Sequence, residues 1–171
     1  MRVLISEDEI RKRVDAVAAK IAEAYAGQPL TIVGVLTGCL VFLADLIRRL
    51  DLPLKIALVQ ASSYRGRATT PGQLHVQDEL LPDLKGRDIL LIDDILDTGK
   101  TLMHLVAHLK TLGVASVRTA VLLRKEGRQE VHIEPDFVGF TIPNEFVIGY
   151  GLDFDDEYRN LPFIGVLDGP G

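Results

Sequence analysis

The stretch Ile89-Leu-Leu-Ile-Asp-Asp-Ile-Leu-Asp-Thr-Gly-Lys-Thr-Leu102 limits the folds open to this chain more than any other. Its start belongs to the run Asp88 to Ile92, aliphatic throughout after Asp88 and without the alternation of a half-wet strand. Such a run is expected where a strand is covered on both faces, as in a parallel sheet sandwiched by helices. Two acids, Asp93 and Asp94, follow at its carboxyl end. A loop of Asp97, Thr98, Gly99, Lys100 and Thr101 comes next, and then Leu102, Leu105, Val106, Leu109 and Leu112 recur at helical spacing up to Gly113.

The rest of the chain repeats this alternation. Ser6 and Glu9 form a capping box, and Ile10, Val14, Val17, Ile21 and Tyr25 give a helical stripe that Gly27 can stop. Leu30 to Leu36 reads as a buried strand. Phe42, Leu43, Leu46, Ile47 and Leu50 mark a second helix, and Leu54 to Ala61 a further strand. Ser62 to Gly72 is polar, with Gly and Pro, and is expected to be a loop. Gln73 to Glu79 and Val117 to Leu123 read as strands, with short β segments around Val138, Val147 and Ile164. Alternating strands and helices predict an α/β fold with a central parallel sheet.

The chemistry concentrates after Ile92. In open α/β sheets, ligands bind beyond the carboxyl ends of the strands. Small residues at a helix start let backbone N–H groups and hydroxyls approach a phosphate. Adjacent carboxylates would repel that phosphate unless Mg²⁺ or a sugar diol intervenes. A lone acid here would merely end a strand or cap a helix. Three acids with Thr98-Gly-Lys-Thr101 directly after an aliphatic strand ask for more. Gly99-Lys100-Thr101 imitates the end of a P-loop, but the glycine that motif needs five positions before Gly99 is Asp94, which argues against an NTPase.

Composition removes other classes. The formal net charge is −5, without the basic face that nucleic-acid or membrane-surface binding requires. Of the 171 residues, 47% are apolar, enough for one domain with a full core, and no stretch approaches the roughly 18 apolar residues of a membrane span. The N-terminus shows no signal-like apolar run. The single cysteine, Cys39, cannot form an internal disulfide, which points to a reducing cytosol. At a helix start its thiol could be acidified, yet with no histidine nearby in sequence it reads as packed rather than nucleophilic. His104 and His108 share a helical face without the acid of a zinc motif and read as solvated.

Taken together, these residues resemble the type I phosphoribosyltransferases, in particular their hypoxanthine-guanine branch, from about Leu4 to Leu167. The resemblance implies one domain over 1–171, with a parallel-sheet core at about 28–140. A small hood would be built by the N-terminal segment and about 141–171. It implies transfer of a phosphoribosyl group from phosphoribosyl pyrophosphate (PRPP) to N9 of hypoxanthine or guanine, with Mg²⁺, in purine salvage. It also implies a homodimer or homotetramer. By the same resemblance, Asp93 and Asp94 hold the ribose hydroxyls directly or through Mg²⁺, and Asp97 is the general acid/base at purine N7. Thr98, Gly99, Lys100 and Thr101 cradle the 5′-phosphate. Leu36, Thr37 and Gly38 form the pyrophosphate loop, often with a non-proline cis peptide, and Arg159 also contacts pyrophosphate. Ser63 and Tyr64 begin a mobile loop that closes over the site. Lys125 donates to the purine 6-oxo group, Phe146 stacks on the base, Val147 contacts it through its backbone, and Asp153 lies near a second metal. Read without the resemblance, Lys125 would be a solvated strand end, Phe146 core packing and Arg159 a surface ion pair. Where the family usually carries Lys or Arg in the pyrophosphate loop, this chain has Thr37. A regulatory RNA-binding protein on the same fold is the rival class, and the acidic charge disfavours it.

Overall fold

The computed structural model describes residues 1–63 and 74–168. Strand β1 (Arg2–Ile5) leads into helix α1 (Glu7–Tyr25), whose first turn is closed by the reciprocal Ser6–Glu9 capping box. The helix ends through Ala26 and Gly27, both in the left-handed region. Strand β2 (Leu30–Leu36), helix α2 (Leu40–Ile47) and strand β3 (Leu54–Ser63) follow. Helix α2 stops short of the expected Leu50, because the chain tightens there: the Arg49 and Leu50 N–H groups donate to the Leu46 and Ile47 carbonyls three residues back, while the Arg48 and Arg49 side chains cover the Ala44 and Asp45 carbonyls; Leu50 is buried just beyond it. Strand β3 runs two residues past the expected Ala61, and the remainder of the expected loop, with Tyr64, lies outside the described residues.

Strands β4 (Leu74–Gln77), β5 (Asp88–Leu96), β6 (Ser116–Lys125) and β7 (Phe137–Ile142), with helix α3 (Lys100–Lys110) between β5 and β6, complete a six-stranded sheet of order β4-β3-β2-β5-β6-β7. Its strands are parallel except β4, which pairs antiparallel with β3. Strands β8 (Val147–Ile148) and β9 (Ile164–Val166) join β1 in a separate three-stranded antiparallel sheet.

The aliphatic run of β5 is divided between two cores, as a doubly covered strand must be. Leu90 and Ile92 pack with α1 and α2, whereas Ile89 and Leu91 pack with Leu102, Leu105 and Leu109 of α3. Ile5, Val147, Ile164 and Val166 of the small sheet belong to the same core as Leu90, so the two sheets share one hydrophobic interior.

Strand order reverses between β2 and β5, the topological switch point where α/β sheets bind ligands. Pairing of β2 with β5 extends to Gly34↔Ile92, while β5 continues alongside β6 as far as Leu96↔Arg124. The two central strands therefore diverge at Asp93. Strand β5 is longer than its aliphatic run predicts, because β6 goes on supplying partners after β2 has turned away. The acids lie within the strand, at the mouth of that fork.

Candidate active site

The fork opens into a cleft of about 300 Å³. Leu36, Gly38, Asp93, Asp94, Asp97, Thr98, Gly99, Thr101, Asp153 and Arg159 all line it. Of the residues expected on the ribose, phosphate and pyrophosphate, two are not among its walls: Thr37, and Lys100, whose ammonium instead pairs with Glu130 at 2.5 Å. A second pocket, of about 200 Å³, adjoins the first and brings in Lys125, Phe146 and Val147. Asp94, Ile95, Asp97 and Asp153 line both.

Asp93 and Asp94 sit side by side with little solvent. The Asp94 N–H donates to Asp93 Oδ1 at 2.8 Å, and the Ile95 N–H to Asp94 Oδ1 at 2.7 Å. Burial raises both carboxyl pKa values above the ordinary range, and the Asp94 charge raises that of Asp93 further. Such a pair is short of positive charge. Among the described residues no three acids or imidazoles converge as a ready-made metal cage. Mg²⁺ fits such a site nonetheless, because it takes one or two carboxylates and completes its shell with water and substrate phosphate oxygens.

The loop opposite the acids is built for close approach. The Leu36–Thr37 peptide is cis, as the resemblance implied. A Cβ on Gly38 would overlap Asp94 Oδ2, and one on Gly151 would overlap the Gly38 carbonyl oxygen. Only bare backbone can line the cleft at these points. Cys39 caps α2 directly behind, fully buried. Burial and the neighbouring Asp93 and Asp94 push its thiol up to about 12, so the helix start does not acidify it.

Asp97 is held by two cations. Arg128 Nε donates to Oδ1 at 2.8 Å, and Lys125 Nζ stands 3.7 Å from Oδ2. Lys125 is the last residue of β6, and its side chain is largely buried, unlike a solvated strand end. The Phe146 ring is 51% exposed, which excludes core packing. It meets Phe154 edge to face, with centroids 5.7 Å apart. Arg159 is an internal brace: Nη1 donates to the Gly151 carbonyl at 2.7 Å and Nη2 lies 3.3 Å from Asp153 Oδ1. The second Asp153 oxygen accepts from the Asp156 N–H at 3.0 Å. His108 is not a free solvated group, since Nε2 meets Asp78 Oδ2 at 2.9 Å.

Arg128, Gly151 and Phe154 were missed by sequence reasoning. Arg128 carries no local signal, because its partner lies 31 positions away. The available sign of Gly151 and Phe154 was Gly149-Tyr-Gly-Leu-Asp-Phe154, whose density of glycines and aromatics departs from an ordinary turn.

A switch-point cleft with paired acids, a small-residue loop at a helix start and an adjoining aromatic pocket defines an α/β protein that handles a phosphorylated ligand beside a flat one. The phosphoribosyl transferase domain family matches residues 6–155, and this chain belongs to that family. It is 42% identical over 166 residues to the hypoxanthine-guanine phosphoribosyltransferase of Streptococcus pneumoniae, covering 97% of this chain and 92% of that protein. The crystal structure of a hypoxanthine-guanine phosphoribosyltransferase from Bacillus anthracis superposes with a TM-score of 0.91 at 34% identity, over 98% of each chain. A hypoxanthine phosphoribosyltransferase from Staphylococcus aureus gives a TM-score of 0.90 at 40% identity, covering 98% of this chain and 91% of that one.

Proposed function

We propose that the chain transfers the phosphoribosyl group of PRPP to N9 of hypoxanthine or guanine, yielding IMP or GMP and pyrophosphate in purine salvage. The observation that carries this is the wall of Asp94, Ile95, Asp97 and Asp153 shared by the two pockets. One pocket has the features of a sugar-phosphate site and the other those of a purine site, and a bond between their occupants would form at that wall.

In the larger cleft, Asp93 and Asp94 hold the ribose hydroxyls, and Thr98, Gly99 and Thr101, with only the backbone of Lys100 between them, receive the 5′-phosphate at the start of α3. Leu36 and Gly38, with Arg159, face the pyrophosphate, and Thr37 joins them in the loop without lining the cleft. Asp93 and Asp94, with Asp153 nearby, would hold Mg²⁺, which when bound would supply positive charge beside the leaving group. In the smaller pocket Phe146 stacks on the base, the Val147 backbone contacts its edge and Lys125 donates to the 6-oxo oxygen. N7 and the 6-substituent are neighbours on one purine edge. Asp97 Oδ2 and Lys125 Nζ, 3.7 Å apart, offer that edge an acceptor and a donor.

The N9–C1′ bond forms as the bond from C1′ to the pyrophosphate oxygen breaks and its electron pair leaves with pyrophosphate. The purine N7 proton passes to Asp97 Oδ2, which relieves the charge the base gains. The chain works as one domain, its small sheet forming a hood over the larger one, and assembles as a homodimer or homotetramer in the cytosol. Among the described residues no helix is long and apolar enough to cross a membrane. A PRPP-dependent assay with hypoxanthine, guanine, xanthine and adenine tests the assignment; turnover of none of them would refute it.

A further inference from the structure

Arg128 lies in the connection between β6 and β7, three positions beyond Lys125. That connection has neither helix nor strand from Gly127 to Ile133, yet it is fastened across the phosphate loop. The Glu130 and Val131 N–H groups both donate to the Thr98 carbonyl, at 2.9 and 3.4 Å. The Glu130 carboxylate pairs with Lys100. The Val131 and Ile133 methyls close over Gly99, at 3.1 and 3.0 Å from where its Cβ would stand. An exposed ion pair on a loose loop contributes little, because two long side chains must be ordered to make it. Here the backbone carrying Arg128 is already braced against the loop that carries its partner.

We infer that Arg128 is a positioning residue, which holds Asp97 Oδ1 so that Oδ2 faces the base beside Lys125. The inference rests on the role of Asp97 proposed above. Oδ1 is engaged by the guanidinium at 2.8 Å, while the ammonium of Lys125 remains 3.7 Å from Oδ2. The other charges near Asp97 are Asp94 and Asp153 on the shared wall, Arg159 in the larger cleft, and Glu130 of the β6–β7 connection with its partner Lys100 at the start of α3. With Arg128 removed, Lys125 is the one cation in contact with Asp97 among the described residues, and the two groups close into a direct pair. That pair withdraws the acceptor from N7 and the donor from the 6-oxo oxygen together. The cost therefore falls on the base side of the reaction.

Steady-state kinetics of Arg128→Gln, Arg128→Lys, Asp97→Asn and the Asp97→Asn/Arg128→Gln double variant decide the matter, with thermal melts run alongside. Residues acting through one another couple rather than add, so Arg128→Gln is expected to lower kcat by about tenfold alone and by less than about twofold on top of Asp97→Asn. KM for hypoxanthine rises, KM for PRPP holds, and Arg128→Lys recovers most of kcat. Parental kinetics in Arg128→Gln, or a full additional loss in the double variant, overturns the inference while leaving Asp97 in its role. Parental kcat in Asp97→Asn overturns the role of Asp97 itself, and the inference with it.

Discussion

The α-carbon of Gly38 is packed so closely against the Asp94 carboxylate that a single added methyl would overlap Oδ2. Backbone from the end of β2 and an acid from β5 thus meet at the point where those strands part company. The contact joins the two halves proposed to hold PRPP, the pyrophosphate loop and the ribose acids.

Gly38→Ala must therefore displace either the loop or Asp94. Overpacking of this kind costs about 1–3 kcal/mol, so the fold survives with a lower thermal midpoint. Catalysis suffers more, with kcat/KM for PRPP expected to fall by at least about tenfold, or about 1.4 kcal/mol in the transition state. Parental kcat/KM in a variant with a lowered midpoint would show that the contact is packing alone.

The acid pair works against the stability of the ligand-free protein. Both carboxyls have folded pKa values raised above the ordinary 3.8, chiefly by burial. Their stabilising contribution is present below the unfolded pKa and is lost as pH rises through the raised folded value. At neutral pH the pair therefore destabilises the fold, and Asp94→Asn is expected to raise the ligand-free melting temperature while lowering turnover. A calorimetric scan of parent and variant at pH 7 checks it; a lower midpoint in the variant contradicts the account.

Mg²⁺ with PRPP should reverse that destabilisation by binding the folded form alone. EDTA is expected to abolish turnover and added Mg²⁺ to restore it. Full activity in excess chelator would remove the metal from the account.

Much of this site could be read from one strand and the loop after it. Asp93, Asp94 and the Asp97 to Thr101 loop are contiguous, so their proximity follows from local geometry. The α1 cap was equally local. What escaped was non-local. The extension of β5 to Leu96 depends on continued pairing with β6, and strand β1 depends on finding β9 across the whole chain, whereas the joining of the terminal segments was expected only through the family resemblance. Val3-Leu4-Ile5 ahead of the capping box was the available sign of β1. Arg128 and Glu130 carry no local sign of their roles, because α3 and β6 lie in sequence between them and their partners, Asp97 and Lys100.

Alkaline pH offers an independent probe of the core. Burial pushes the Tyr25 phenol up to about 12, with Arg118 opposing the rise. Burial raises Tyr150 as well, reinforced by its hydrogen bond to Asp45 at 2.5 Å. Both folded pKa values exceed the ordinary 10, so stability is fully present below that value and falls as pH rises above it, when the unfolded chain loses protons first. Denaturant midpoints should decline from about pH 10 upward, and Tyr150→Phe should decline less steeply. An equal slope in the variant would mean that Tyr150 does not contribute.

Base selectivity tests the central claim most directly. A lysine ammonium has donors and no acceptor, so Lys125 suits a 6-oxo oxygen and opposes the amino group of adenine. Sites built on such a contact reject the wrong group by up to about 10⁴–10⁵. Phe146 does not discriminate, because stacking tolerates any purine. With PRPP and Mg²⁺, kcat/KM is expected to be high for hypoxanthine and guanine, low for xanthine and essentially nil for adenine. Lys125→Ala should narrow the gap between hypoxanthine and adenine mainly by damaging hypoxanthine. Adenine within about tenfold of hypoxanthine, a difference of about 1.4 kcal/mol, would contradict the account.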